Sequence, residues 1–266
     1  MTDQERPSPV QGASSRLLEA FRSRTPCDPV RDLVEPLGLE GAYAVQAAMM
    51  GARLDEGRHV VGRKIGLTAM SVQRQLGVDQ PDFGVLLDDM EFGDAAEIPM
   101  HRLIQPKVEA EIAFVLERDL DMDAPTLSQV LRAVAYVVPA IEIVDSRVRD
   151  WKISIYDTIA DNASSGLYVL GGSPKKVHDL DLRLCGMSLE NRGEPLSNGC
   201  GAACLGNPLN AMTWLARRMK ALGQPLRAGE VVLSGALGPM VPAKPGEVYQ
   251  ARISGLGSVT AAFGEG

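Results

Sequence analysis

Histidine and cysteine are scarce in this chain, with three and four among 266 residues. Cys27, Cys185, Cys200 and Cys204 are too few and too irregular for a disulfide framework in a chain this long. Gly-Ala-Ala between Cys200 and Cys204 resembles a ligand spacing, but no second cysteine pair lies nearby, so structural zinc is not expected. Aromatic residues make up only 5% and do not cluster with basic ones, which leaves a nucleic-acid role without support. Positive charge is in the minority. The net charge of -7 disfavours nucleic acid and anionic membranes as partners, yet does not repel a small anion from a site that holds a cation. No run of apolar residues approaches a membrane span, and the opening MTDQERPSPVQGASS has no apolar signal core. A cytoplasmic, reducing setting is therefore expected. No fixed-period repeat occurs, and neither glycine-rich nucleotide motif is present in its required context.

What is there describes a globular chain with many turns: 45% hydrophobic residues, 27 glycines and 17 prolines. The opening, to about residue 13, reads as a loose tail. From Ser14, SRLLEAFRSR sets Leu17, Leu18 and Phe21 on one helical face, and DPVRDLVEPLG is a second short helical piece. The following segment repeats Tyr43, Val45, Ala48, Met49 and Leu54 at helical spacing until Gly57. A division follows: a helical segment over 1–57 and a catalytic domain over 58–266. The second part turns β-rich at HVVGRKIGLT, where Thr68 could cap the next helix. A helix capped by Thr126 is expected to hold Leu127, Val130, Leu131 and Val134 inside, and Trp151, Ile153 and Ile155 could alternate along an extended piece. Past Gly172 the pattern is mostly antiparallel, with a hairpin at Asn-Arg-Gly. The clearest helix carries Leu209, Met212, Leu215 and Met219 on one stripe, with Gly223 as its C-cap.

The stretch that organises the chemistry is PKVEAEIAF, residues 106–114. As a strand it points Val108, Ala110, Ile112 and Phe114 one way and Glu109 and Glu111 the other. Adjacent carboxylates repel and lose hydration if they face inward, unless something positive compensates. IEIVDSR repeats the pattern, with Glu142 between Ile141 and Ile143 after a markedly apolar run. Three oxygen donors on apolar strands fit a hard divalent cation such as Mg²⁺ or Mn²⁺. The pattern by itself fits a strand with one solvated face equally well. Lys64 sits on an apolar strand between Gly62 and Gly66, as a directed ammonium or a snorkelling surface group. Asp82 lies where a turn enters a strand, a place that recruits aspartate for structural reasons as well. DTIADNASSG brings Asp157, Asp161 and Asn162 close together and reads as a turn-rich helix. LSGALG places Ser234 and amides expected to be open after a strand, where they could hold anionic oxygens.

GRKIGLT at 62–68, QLGVDQPDFGVLLDDM at 75–90, QPKVEAEIAFVL at 105–116, PAIEIVDSR at 139–147, DTIADNASSGLYVLGG at 157–172, LGNPLNAMTWLARRM at 205–219 and LSGALGPM at 233–240 together resemble the 2-keto-4-pentenoate (2-hydroxypenta-2,4-dienoate) hydratases of the fumarylacetoacetate hydrolase superfamily. The resemblance runs from about residue 40 to 262. It implies an α+β fold, a mixed β-roll with peripheral helices and an N-terminal helical subdomain. It also implies Glu109, Glu111 and Glu142 as ligands of Mg²⁺ or Mn²⁺, and Lys64 and Asp82 as catalytic groups. Ser164, Ser165, Ser234, Gly235 and Leu237 would position substrate, a small 2-hydroxydienoate or 2-keto acid. The superfamily's assembly habit implies a homo-oligomer, with other meta-cleavage pathway enzymes as further partners.

Two rivals accompany this expectation. 4-Oxalocrotonate decarboxylases look similar across the same blocks but tend to lack the aspartate of PDFG, present here as Asp82. An inactive structural partner of a pathway complex is the other, and retention of the three glutamates with Lys64 and Asp82 speaks against it. Hydrolysis of C–C bonds uses a His/Glu pair, for which His59, His101 and His178 are badly placed.

Overall fold

The computed structural model describes residues 7–76 and 78–265. Helix α1 (Pro9–Ser23) starts earlier than the polar composition implied. The Ser8 hydroxyl accepts from the Gln11 amide and the Gln11 side chain accepts from the Ser8 amide, a reciprocal cap with proline in the first turn. Residues 9–13, expected to be loose, are therefore helical, with Ala13 buried. The single-turn helix α2 (Arg31–Val34) leads through a 3₁₀ turn into α3 (Gly38–Asp55). Ala48 and Leu54, placed inside by periodicity, face solvent, whereas Gln46 and Arg53 are buried. The small core of this helical layer gathers Leu17, Val34, Val45 and Met49 with Val148, Ile159 and Ala160 from much later in the chain.

Strand β1 (Val60–Gly66) is followed by α4 (Met70–Leu76). Ala69 starts α4, its carbonyl accepting from the Val72 and Gln73 amides, so Thr68 is not the cap and is instead buried beneath. Then come β2 (Asp82–Leu87), the short β3 (Glu91–Phe92) and β4 (Glu97–Ile98), and the long β5 (Pro106–Leu116). Thr126 caps α5 (Leu127–Ala133) as expected, but Val134 already belongs to β6 (Val134–Asp145) and Leu127 is exposed. The β-branched run after Ala133 favours the sheet over another helical turn.

No strand forms at Trp151, Ile153 and Ile155. Arg149–Trp151 is a 3₁₀ turn with Asp150 and Trp151 left-handed, and Ile155 opens α6 (Ile155–Ala160). The reason is local. Ser154 and Asp157 cap each other across the first turn, which a strand would forgo. Strands β7 (Ser165–Leu170), β8 (Gly186–Asn191) and β9 (Glu194–Cys200) precede α7 (Pro208–Ala221). The chain closes with β10 (Val231–Leu233), β11 (Val241–Pro242), β12 (Val248–Ile253) and β13 (Gly257–Phe263).

These strands make a mixed α+β fold. A curled sheet, a half-barrel, runs β2-β1-β10-β5-β6-β7-β3 with β11 also on β5, and a second sheet runs β4-β13-β12-β8-β9. Contacts of β12 and β13 with β6, and of β8 with β5, join the two. Val108, Ala110, Ile112, Phe114, Ile141 and Ile143 form the buried apolar face of the central pair. That frees the opposite face of β5 and β6 for chemistry. Among the described residues no helix is long and apolar enough to cross a membrane.

One buried ion pair ties the helical layer to the sheet. Asp161, just past α6, accepts from the Arg147 guanidinium and from the Arg147 amide at 3.0 Å, while Arg147 Nη1 donates to the Ser165 carbonyl at 2.7 Å. Burial lifts the Asp161 carboxyl to about 6, against the pull of Arg147. Removing the guanidinium strands a buried carboxylate, so Arg147→Met should lose about 3–5 kcal/mol of stability near neutral pH. The folded state already binds the Asp161 proton more tightly than the unfolded chain, whose aspartates titrate near ~3.9. Stability from this group is therefore greatest below that value and declines as pH rises towards 6. Without Arg147 the decline deepens. Denaturant unfolding at pH 8 and pH 5 should show the larger deficit of Arg147→Met at pH 8, and an equal deficit would contradict this account.

Candidate active site

The β5–β6 register sets Glu109 directly opposite Glu142, with Glu111 two residues along the same face. One oxygen from each of the three lies within 4.8 Å of the others. Glu111 and Glu142 are fully buried, and Glu109 is half-buried at the edge of a cavity. Burial and the charge of Glu142 lift Glu109 to about 7, and burial with both neighbouring glutamates pushes Glu111 well above the ordinary carboxylate range. Glu111 Oε2 accepts from the Gly235 amide at 2.8 Å. Its Oε1 and both oxygens of Glu142 are buried without a hydrogen-bond partner. Converging, unpaired carboxylate oxygens are a donor set suited to a hard divalent cation, and the residues present fit one.

Lys64 reaches the cluster from β1. Its Nζ stands 3.0 Å from Glu142 Oε1, a close ion pair outside hydrogen-bond alignment, and donates to the Ala163 carbonyl at 3.0 Å. Burial pulls the ammonium down, but Glu142, Asp82, Glu109 and Glu111 together outweigh it and hold it above its usual value. Asp82 opens β2 opposite Gly66. A Cβ on Gly66 would come within 2.2 Å of Asp82 Oδ1, so only glycine admits this carboxylate. Both Asp82 oxygens are buried and unpaired, and burial, opposed by Lys64, raises the group to about 6.

The remaining expectations fare differently. Ser164 Oγ donates to Asp161 Oδ2 at 3.3 Å and Ser165 Oγ to the Asn162 carbonyl at 2.7 Å, so both hydroxyls are engaged within the protein. Three of the amides expected to be open after β10 are engaged. Ser234 donates to Ile112, Gly235 to Glu111 and Leu237 to Ala110, and the Leu237 side chain is fully buried. This loop extends the β10–β5 pairing, which occupies those three donors. Its neighbours Ala236 and Gly238 line the cavity instead.

That cavity, about 440 Å³, is bounded by Glu109 and Thr68 and by an apolar wall of Ile65, Val72, Ala203 and Met240. A second cavity, on the far side of the 161–166 turn, is lined by Phe21, Arg24, Asp145 and Arg147 and touches none of the three glutamates. All three histidines are exposed, and none lines the first cavity.

Sequence reasoning missed the Ala163 carbonyl that holds Lys64. It also left Asn162 without a task. Residues Asn162, Ala163 and Ser164 are all left-handed, with φ of 56°, 52° and 52°. Asparagine tolerates that region better than most residues, which was the one available signal.

The fumarylacetoacetate (FAA) hydrolase C-terminal family matches residues 60–263. A 2-keto-4-pentenoate hydratase of Paraburkholderia xenovorans (strain LB400) is 58% identical over 263 residues, 99% of this chain and 96% of the relative. A 2-hydroxyhexa-2,4-dienoate hydratase of Comamonas testosteroni is 43% identical over 96% of this chain and 98% of its own length. Among solved structures, 4-oxalocrotonate decarboxylase from Pseudomonas putida G7, complexed with magnesium and adipate, superposes with a TM-score of 0.91 at 33% identity, covering 96% of this chain and 97% of that one. By these likenesses the chain belongs to the fumarylacetoacetate hydrolase superfamily, as a 2-keto-4-pentenoate hydratase-like member.

Proposed function

We propose that this protein hydrates 2-hydroxypenta-2,4-dienoate to 4-hydroxy-2-oxopentanoate, using Mg²⁺ or Mn²⁺ held by Glu109, Glu111 and Glu142. The observation that carries the reading is the convergence of three carboxylates on one sheet face, beside Lys64 and an unpaired Asp82, in a chain 58% identical to a hydratase. The dienol resists water at C4 until it becomes a ketone. Protonation at C5 with loss of the C2 hydroxyl proton gives the α,β-unsaturated 2-keto acid, the oxygen of water adds at C4, and a proton at C3 completes the product. When bound, the cation supplies Lewis-acid stabilisation of negative charge on the C2 oxygen.

Lys64, its Nζ 3.0 Å from Glu142 Oε1, can stabilise the same developing charge and serve as acid or base near C2. Asp82, with no protein partner, is the group available to orient water and relay protons. The apolar wall of the cavity keeps other water from the carbon chain. The same reading makes the protein a cytoplasmic homo-oligomer, with other meta-cleavage enzymes as further partners.

Stripped of metal and repleted with Mg²⁺ or Mn²⁺, the protein should regain consumption of the dienol chromophore. Glu111→Gln should lower turnover by about a thousandfold, matching the several kcal/mol a Lewis-acid cation supplies. In calorimetry the variant should also lose Mg²⁺ binding while its thermal transition is retained. Normal metal-dependent turnover in Glu111→Gln would refute the ligand assignment.

The decarboxylase at a TM-score of 0.91 keeps a second reading in view. It predicts carbon dioxide release from 2-oxohex-3-enedioate. The hydratase reading predicts none, and predicts that Asp82→Asn lowers hydration about 10²- to 10⁴-fold, the usual worth of a positioned proton-transfer group, with Mg²⁺ affinity preserved. Rapid carbon dioxide release by the wild type would reverse the choice.

A further inference from the structure

Lys64 is held at two points, and the second is a backbone carbonyl delivered by an unusual turn. Ala163 offers its oxygen to Lys64 Nζ from the middle of three consecutive left-handed residues. Each such residue other than glycine is unfavourable, so the surroundings must enforce the run. The Asn162 side chain does so. Its Oδ1 accepts from the Val85 amide at 2.7 Å and its Nδ2 donates to the Val85 carbonyl at 2.9 Å. The carboxamide thus pairs with β2 as a neighbouring strand's peptide would, although β2 lies at the edge of the sheet. Gly84 makes room for this approach. A Cβ there would lie 2.5 Å from the Asn162 carbonyl oxygen and 2.6 Å from Ser165 Oγ. Gly84 is also the register partner of Lys64. The clamp at Val85, the partner of Arg63, therefore lies one residue along the strand from the rung of Lys64.

We propose that Asn162 is a positioning residue for Lys64: by clamping to Val85 it holds the left-handed turn so that Ala163 fixes the ammonium beside Glu142. An ammonium has three hydrogens, and with Ala163 and Glu142 constraining it, its direction beside the carboxylate cluster is set rather than rotationally averaged. Ser165 Oγ, donating to the Asn162 carbonyl, and Arg147, donating to the Ser165 carbonyl, brace the far end of the turn. Asn162 is outside the carboxylate cluster and the cavity beside Glu109; the cavity it lines is the second one, which touches none of the three glutamates. Its effect on the reaction passes through Lys64.

This inference rests on the hydratase reading, and the experiment separates the two. Wild type, Asn162→Gly and Asn162→Asp are compared at saturating Mg²⁺ on 2-hydroxypenta-2,4-dienoate. Glycine keeps the left-handed freedom but removes both bonds to Val85. Aspartate keeps the acceptor for the Val85 amide and sets a carboxylate against the Val85 carbonyl, and it serves if the glycine variant does not fold.

Misplacement of a catalytic group by a fraction of a bond length to one ångström should lower kcat about 10- to 100-fold. KM and the calorimetric Mg²⁺ affinity should change less than about threefold, since the glutamates stay in place. Hydrogen exchange should show the Val85 amide released. Unchanged kcat with a lowered melting temperature would make Asn162 merely structural and overturn the proposal. Joint loss of kcat and Mg²⁺ affinity would also overturn it, as general collapse of the site. An inactive wild type would instead remove the hydratase reading, and this inference with it.

Discussion

A single ammonium buried among four carboxylates is the constraint on which the rest of this molecule depends. Lys64 faces Glu109, Glu111, Glu142 and Asp82 together, Lys107 adds its charge only at Glu109, and a single ammonium cannot neutralise four carboxylates. Burial first, and then the charge of neighbouring glutamates, lifts Glu109, Glu111 and Asp82 above their ordinary values. Such a cluster has to be held together by structure that is stable for other reasons. Here the other face of β5 and β6 supplies it, with apolar side chains buried between the sheets. The alternation of a strand lets one segment serve both ends, core on one side and charge on the other.

Glycines and loops convert that rigid face into a site. Gly66 leaves space for the Asp82 carboxylate, and Gly84 leaves space for the Asn162 turn. The loop after β10 gives three amides to β5, one of them to Glu111, and so braces the carboxylate cluster. Buried serines behave likewise, since Ser164 and Ser165 fasten the turn beneath Lys64. Polar groups near the site thus divide into a few without partners, which are available for chemistry, and many that are satisfied and hold those few in position.

Much of the fold was legible because its signals are local. The alternation over 106–114, the cap at Thr126 and the stripe of α7 all survive in the structure. The failures are instructive for the same reason. Polar residues 9–13 are helical because Ser8 and Gln11 cap each other, and Trp151 to Ile155 do not alternate because Ser154 and Asp157 do the same. In both places a short-range capping pair outweighed average composition or an apparent period. Ala48 and Leu54 lie outside because packing partners, here Phe83 and Ile159 receiving Gln46, choose which side of α3 turns inward.

By itself the sequence determined the residue types of the site and their pairing on faces: two glutamates in step on one strand, a third on an apolar strand, and a lysine and an aspartate beside glycines. These follow from side-chain periodicity and steric freedom, which need no partner. Only the tertiary structure decided that Glu109 lies opposite Glu142, that Lys64 meets them, and that Ala163 and Asn162 hold it there. Strand register and the approach of a distant turn depend on contacts between segments tens of residues apart. No local pattern encodes them.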